Sequence, residues 1–219
     1  MNQRRRIQRL RRRSGMDNSL LDRGWHSKAY HRHFEGYTEV ETTNEKGKTV
    51  IQRVYVGDYY RLDLPKKKRV LLRLTYAALI GLIGVMFGLA SSRPVGANMV
   101  WYMAIAQMLT LGGIGAMIIK LLSHATAPRD MTIGDWKASS KGLRKSAQFS
   151  AILLELDMFL TALYLLLKGE NWGTHLLCIG LYALAGLVAM VVDRLEANAP
   201  YLTFPSTEAA PEDGSYIDV

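Results

Sequence analysis

Cysteine is nearly absent from this chain of 219 residues, because Cys178 is the only one. A single thiol excludes an internal disulfide framework and any metal cluster built on several cysteines. Common catalytic motifs are missing as well: there is no HExxH, GxSxG, P-loop or CxxC pattern. The sequence therefore predicts no catalytic residue, no metal site and no cofactor, and it favours a protein that is not an enzyme.

Excess positive charge is lacking from two thirds of the chain. Residues 70–219 carry 10 Lys and Arg against 11 Asp and Glu, whereas residues 1–69 carry 18 against 8. The net charge of +9 thus arises entirely in the first third. Such an asymmetry excludes a single uniform soluble domain and suggests a basic segment attached to something else.

Long apolar runs fill the rest of the chain. Four of them approach or exceed the roughly 20 residues that a helix needs to cross a bilayer; they cover residues 70–90, 99–122, 147–167 and 174–192. The first, second and fourth are apolar on all sides, whereas a helix at the surface of a soluble protein alternates with a period of 3.6. The sequence predicts an all-α membrane protein whose four transmembrane helices form a domain over residues 66–196.

The connections predict how these helices are threaded. Residues 91–98 and 168–173 are short and contain Pro or Gly, so helices 1–2 and 3–4 are expected to form two antiparallel hairpins. Lys and Arg cluster before helix 1 and in the middle loop, while the two short loops carry only Arg93 and Lys168. The positive-inside rule then places both termini in the cytoplasm, in an integral plasma (inner) membrane protein.

Residues 1–35 are predicted to be a basic, flexible arm. Its first 13 residues contain seven arginines, which fits a solvated tail or contact with anionic lipid. Binding of nucleic acid is disfavoured because this block has no aromatic residue to stack on bases.

Residues 36–65 are predicted to be a cytoplasmic β-hairpin segment. Residues 37–43 and 48–56 are rich in Thr, Val, Ile and Tyr, and the Asn-Glu-Lys-Gly stretch at 44–47 suits a turn between two strands. Tyr59 is expected to open a short third strand. An isolated hairpin is marginally stable in water, so this one needs a surface or a partner to pack on.

Two further segments have local signals. Thr132 followed by Asp135 fits the pattern of a helix N-terminus, in which the threonine caps the helix and an acid follows three residues later. Residues 197–219 are predicted to be a disordered acidic tail, because they contain Pro, Gly and several carboxylates.

Ionisable residues at membrane depth are costly and are candidates for function. Glu155 and Asp157 in helix 3 are the strongest, together with the polar candidates Gln107 and Arg73. Counted from Ala147 at 1.5 Å per residue, the two acids lie about 12 and 15 Å into the bilayer. Two residues apart on a helix, they point about 200° apart and do not form a catalytic pair.

Four interpretations of these acids remain open. In the first they are structural, and Arg73 or Lys120 forms an internal clasp with Glu155. In the second, helix 3 starts near Ser150, which leaves both acids closer to the cytoplasmic interface. The third interpretation is a proton or cation relay, and the fourth is catalysis.

Small residues predict where helices approach each other closely. Gly84 and Gly88 form a GxxxG pair, and the selected packing positions are Gly81, Gly84, Gly88, Gly112 and Gly186. Packing within the chain would account for them, and so would a homo-oligomer.

The sequence alone favours an accessory, scaffolding or assembly subunit of a membrane complex. Its expected partners are the lipid bilayer and either another membrane protein or further copies of itself. The alternative is a small homo-oligomeric transporter or channel that uses Glu155 or Asp157. An enzyme acting on lipid is disfavoured because the sequence shows no set of polar groups converging at one depth.

Overall fold

The computed structural model describes residues 35–43, 49–169 and 171–205. The Arg-rich arm up to residue 34, the turn at 44–47 and the tail at 206–219 lie outside the described residues. Lipid contact by the arm and disorder of that tail therefore stay predictions.

The described residues form five strands, five α-helices and one 3-10 turn over Gly96–Met99. The strands are β1 (Tyr37–Thr43), β2 (Thr49–Tyr55), β3 (Asp58–Leu62), β4 (Asp130–Met131) and β5 (Tyr201–Pro205). The helices are α1 (Lys66–Ser91), α2 (Trp101–Thr126), α3 (Ile133–Ala138), α4 (Ser140–Lys168) and α5 (Trp172–Ala197).

Four of these helices, α1, α2, α4 and α5, are long and apolar enough to cross a membrane. Their outward faces carry large apolar side chains, such as Leu111 and Leu187, which are 61% and 63% exposed. Such surfaces suit lipid rather than water. These four helices confirm the prediction of a multi-pass membrane protein. The structure also contains a small sheet.

The third membrane helix is longer at its start than its apolar run predicts. It begins at Ser140 rather than Ala147, because Ser140, Leu143 and Ala147 share one buried face. A start near Ser150 is therefore wrong. The helix ends at Lys168, where Gly169 adopts a left-handed backbone with φ of 68° and donates its N–H to the carbonyl of Leu165.

The chain divides into two compact units. The sheet unit comprises residues 1–62, 128–136 and 201–219, and the helical unit comprises residues 63–127 and 137–200.

Strands of the sheet unit form a hairpin and a three-stranded sheet. β1 and β2 pair antiparallel, as the sequence predicts, and the register places Tyr37 opposite Tyr55 and Thr43 opposite Thr49. β3 lies between β4 and β5 and pairs antiparallel with both, with Tyr60 opposite Met131 and Thr203. The third strand predicted from Tyr59 is thus present, and it has two neighbours.

β5 is a difference from the sequence prediction, which assigned residues 197–219 to a disordered tail. Tyr201–Pro205 forms a strand because Tyr, Leu, Thr and Phe favour a pleated conformation and β3 offers them an edge. The prediction for Tyr201–Pro205 was wrong because it rested on the acidic composition of the whole tail and took no account of this short β-prone stretch.

Aromatic side chains fill the sheet unit. Tyr55 lies edge-on to Tyr37 and Tyr59, with ring centroids 5.1 and 4.9 Å away. Tyr60 stacks on Trp136 at 4.4 Å. The hydroxyl of Tyr55 also accepts a 3.0 Å hydrogen bond from the N–H of Ile133, so the predicted hairpin finds partners within its own unit.

The start of α3 confirms the predicted cap. The N–H of Asp135 donates to Oγ1 of Thr132 at 3.2 Å, and the N–H of Thr132 donates to the Asp135 carboxylate at 3.3 Å. This reciprocal arrangement satisfies two backbone donors at the helix start.

The helical unit has a core between four helices. α1 and α4 each pack against both α2 and α5. Buried side chains recur at helical spacing, as on α1 at Tyr76, Ile80, Ile83, Phe87 and Ala90. The residues that the sequence singled out as intramembrane candidates all lie in this unit.

Candidate functional site

The two acids of α4 lie on opposite faces, as the helix geometry predicts. Asp157 is 0% exposed in the core of the helical unit, whereas Glu155 is exposed on its surface. They therefore belong to different environments.

Asp157 is anchored by threonines. Thr110 of α2, also fully buried, donates its hydroxyl to Oδ2 of Asp157 at 2.7 Å. Thr161 donates to the backbone carbonyl of Asp157 at 2.8 Å. Oδ1 of Asp157 makes no hydrogen bond with the residues that the structure describes. Burying a carboxyl group that has a single side-chain donor is energetically unfavourable in such a core, which makes Asp157 a candidate functional residue.

A second set of hydrogen bonds lies one turn earlier on α2. Nε2 of Gln107 donates to Oδ1 of Asn98 at 2.8 Å and to the hydroxyl of Tyr182 on α5 at 3.0 Å. The side-chain amide of Asn98 in turn donates to the carbonyl of Ala90, at the end of α1, and to the carbonyl of Arg93, just beyond that helix. We call Asn98, Gln107, Thr110, Asp157 and Tyr182 the central polar cluster. Its bonds link all four membrane helices through polar groups.

Glu155 borders an open groove between α4 and α5. The groove has a cavity volume of about 460 Å³, and its lining includes Arg144, Gln148, Ile152, Glu155, Asp193 and Arg194. Nε of Arg144 donates to Oδ1 of Asp193 at 3.0 Å, and Asp193 is 4% exposed. Glu155 makes no hydrogen bond or ion pair with any residue in the described ranges. We call this feature the Glu155 groove.

The predicted clasp between Glu155 and a basic residue does not form with Lys120 or Arg73. The methylenes of Lys120 lie over Gly142, where an added Cβ would stand 3.0 Å from Cδ of the lysine. Arg73 on α1 is half-buried, and its Nε has no hydrogen-bond partner among the described residues. Of the two acids, Asp157 is the one that forms a side-chain hydrogen bond to another helix, and its partner is the neutral Thr110.

A buried triad at one end of the helical unit escaped the sequence analysis. The hydroxyl of Tyr76 on α1 donates to Oε2 of Glu196 on α5 at 2.7 Å, and Nε2 of His124 on α2 lies 3.6 Å from Oε1. All three side chains are at most 4% exposed. Tyr76 and Glu196 are 120 residues apart, so only the tertiary fold brings them together. The one available signal was that His124 and Glu196 both lie at the polar ends of apolar runs.

Most of the selected glycines face away from the other helices. A Cβ built at Gly81, Gly84, Gly88 or Gly112 meets nothing within 4 Å, so their predicted packing role stays a prediction for contacts outside the chain. At Gly186 the same test finds Cγ of Glu155 at 3.7 Å and Cβ of Leu154 at 3.8 Å. α2 and α4 approach each other closely at Gly113, where an added Cβ would lie 3.0 Å from Oγ of Ser150.

Metal ligands are not grouped in the described ranges, where no three His, Cys, Asp or Glu side chains are placed to hold an ion. His175 is fully buried, and its ring stacks on Tyr164 at 5.6 Å. Cys178 is also fully buried. Comparisons of the chain with protein-family models, curated proteins and solved structures gave no match.

Proposed function

We propose that this chain is an accessory, scaffolding or assembly subunit of a membrane complex in the plasma (inner) membrane. The proposal assigns it no catalytic step. The observation that carries it is Glu155, a carboxylate that faces outward from a membrane helix and has no partner within the described residues.

Exposure of Glu155 to lipid is energetically unfavourable at its depth in the membrane. It lies about 12 Å beyond Ala147, where the apolar run of α4 begins, in a hydrocarbon core about 30 Å thick. Phospholipid tails offer no hydrogen-bond donor, and ionisable groups at such depth nearly always face a protein interior or a water-filled cavity. A partner subunit that covers Glu155 would provide that environment.

The connections between strands and helices support the proposed threading. Three residues separate β3 from α1, three separate α2 from β4, and three separate α5 from β5. Because these strands pair with one another and a three-residue linker cannot cross a bilayer, the start of α1 and the ends of α2 and α5 belong on one side. This supports two antiparallel hairpins, and the distribution of Lys and Arg supports a cytoplasmic location for both termini.

The threading can be tested by cysteine labelling in a Cys178→Ser background. Single cysteines would replace Lys67, Lys141, Arg93 or Lys168, all exposed. On intact cells, an impermeant maleimide should label positions 93 and 168, whereas positions 67 and 141 should react only after lysis. Labelling of position 67 before lysis would contradict a cytoplasmic N-terminal side.

The accessory role is tested by extraction of the full-length protein from its native membranes in a mild detergent, followed by mass spectrometry. We expect a second membrane protein to co-purify in a fixed ratio through size exclusion. A pure homo-oligomer without any other chain would contradict the proposal.

The second candidate function, a small transporter or channel, is favoured by one observation: Asp157 is fully buried between membrane helices and its Oδ1 lacks a described partner. Asp157 is one of the two acids named for this candidate, and the other, Glu155, is exposed. It predicts that Asp157→Asn abolishes flux in proteoliposomes while insertion and oligomeric state stay unchanged. Absence of flux with the wild-type protein would remove this candidate.

A further inference from the structure

The Glu155 groove has a shape and charge pattern that define its occupant. It follows α4 from Arg144 to Glu155, a rise of eleven residue steps, or about 16 Å of helix. Ile152 of its lining is 63% exposed, so apolar side chains flank the charged ones. A groove of this length along two packed helices matches the side of a third helix.

Gly186 brings α5 close to α4 beneath Glu155. An added Cβ at Gly186 would lie 3.7 Å from Cγ of Glu155 and 3.8 Å from the carbonyl oxygen of Ala151, which are ordinary contact distances. The aliphatic part of Glu155 thus rests on α5. The residue as a whole remains exposed.

The two ends of the groove carry different charged residues. At one end Arg144 is neutralised by Asp193 through a 3.0 Å bond, and Arg194 is exposed beside them. At the other end Glu155 has no hydrogen bond or ion pair with a described residue. The unmatched charge at depth is therefore negative, and a stable occupant supplies a positive group there.

Two occupants fit this pattern poorly. A phospholipid headgroup could meet Arg194 at the end of the helix, but its acyl chains would then lie against Glu155 and offer no donor. A second copy also lacks the required group, because Lys and Arg are absent from residues 74–92, 94–119, 146–167 and 171–192.

We propose that the Glu155 groove binds a transmembrane helix of a different membrane protein, which carries a lysine or arginine at the depth of Glu155. This inference rests on the proposed accessory role and specifies the chemistry of the partner. Apolar side chains of that helix pack against Ile152. Its basic group forms an ion pair with Glu155 inside the bilayer.

Site-specific photo-crosslinking in native membranes tests the contact. A photoreactive amino acid replaces Ile152 in the full-length chain, and the matched control places it at Leu111, which is 61% exposed on α2. We expect the probe at position 152 to yield a peptide from a membrane-spanning segment of another protein that contains Lys or Arg. Glu155→Gln in the same background should reduce this crosslink about tenfold, the loss of one charge-assisted bond.

A charge exchange provides the second variant. Glu155→Lys should abolish the crosslink, and replacing the identified basic residue of the partner by Glu should restore it. Because Glu155 is exposed, the Glu155→Gln and Glu155→Lys variants of this chain should keep the wild-type unfolding temperature, which is measured in parallel.

The outcomes separate this inference from the accessory role. If another protein co-purifies but position 152 crosslinks only to lipid, to a second copy, or to a segment without Lys or Arg, the docking inference is wrong and the accessory role stands. An unchanged crosslink in Glu155→Gln also overturns it. If no other protein co-purifies with the wild type, both proposals fail.

Discussion

Thr110 on α2 donates a 2.7 Å hydrogen bond to the carboxylate of Asp157 on α4, and both side chains are 0% exposed. This bond ties α2 to α4. It also gives the buried carboxyl its only side-chain donor among the described residues. The pair therefore contributes to both the stability and the register of α2 against α4.

Thr110→Val tests the contribution of this bond. Valine keeps the shape of threonine but has no hydroxyl, so Asp157 loses its donor, and we expect the free energy of unfolding to fall by about 1–2 kcal/mol. Thermal unfolding in detergent would measure the change. The matched control is Thr126→Val, since Thr126 is exposed on the same helix and its hydroxyl bonds only to backbone carbonyls of that helix. Equal unfolding temperatures for the two variants would contradict this account.

Hydropathy and helix geometry were enough to predict α1, α2, α4 and α5 and the opposite orientations of Glu155 and Asp157, because both depend on local periodicity. The partners of these groups were harder to predict. Nothing in the sequence identifies Thr110 as the partner of Asp157. The Tyr76–Glu196 bond and the β3–β5 pairing join residues far apart in the chain, and such contacts are set by tertiary packing.

The glycines show the same limit. Gly112 and Gly113 are adjacent and identical in type, yet a Cβ at Gly112 would meet nothing within 4 Å, and one at Gly113 would lie 3.0 Å from Oγ of Ser150 and 3.2 Å from Cδ1 of Leu153. Both glycines belong to the same run of small residues, and sequence spacing does not distinguish them. Only the rotation of α2 about its own axis identifies Gly113 as the contact, and that rotation is fixed by the neighbouring helices.

Gly113→Leu should therefore disrupt the packing of α2 on α4, whereas Gly112→Leu should not. We expect the first variant to lose about 1–3 kcal/mol of unfolding free energy, the usual cost of overpacking a core. The second adds an apolar side chain to an exposed face and should unfold close to the wild-type temperature. A thermal scan of the two variants in one detergent makes the comparison, and a reversed order would show that α2 is rotated differently.

Tyr76→Phe should destabilise the end of the helical unit that contains Glu196 and His124. Phenylalanine preserves the ring but removes the donor to a carboxylate that is 2% exposed. Hydrogen bonds to charged groups contribute about 1.5–3 kcal/mol, so a clear fall in unfolding temperature is expected. Tyr102→Phe is the control, because the structure gives no hydrogen bond for the Tyr102 hydroxyl within the described residues. If both variants unfold together, the Tyr76 bond contributes little.

The sheet unit should weaken in acid through Asp130. Arg61 binds its carboxylate through both Nε and Nη2, the latter at 2.7 Å, and this hydrogen bonding holds the pKa of Asp130 below its ordinary value near 3.8. A carboxyl whose pKa is lower in the folded state stabilises the fold above its unfolded pKa, and that stability is lost as the pH falls through the folded pKa. Both side chains are about one third exposed, so the effect should be at most about 1 kcal/mol.

Hydrogen exchange of the β3 and β5 amides, corrected for intrinsic rates, would follow this loss between pH 6 and pH 2. We expect wild-type protection to fall below about pH 4, near the unfolded pKa of aspartate. Asp130→Asn should already be less protected at pH 6 and should change less with acid. Asp58→Asn serves as the control for a charge removed from the same sheet, because Asp58 is exposed and makes no side-chain bond with a described residue. Identical pH profiles for the wild type and Asp130→Asn would show that the Arg61 pair does not hold β3 and β4 together.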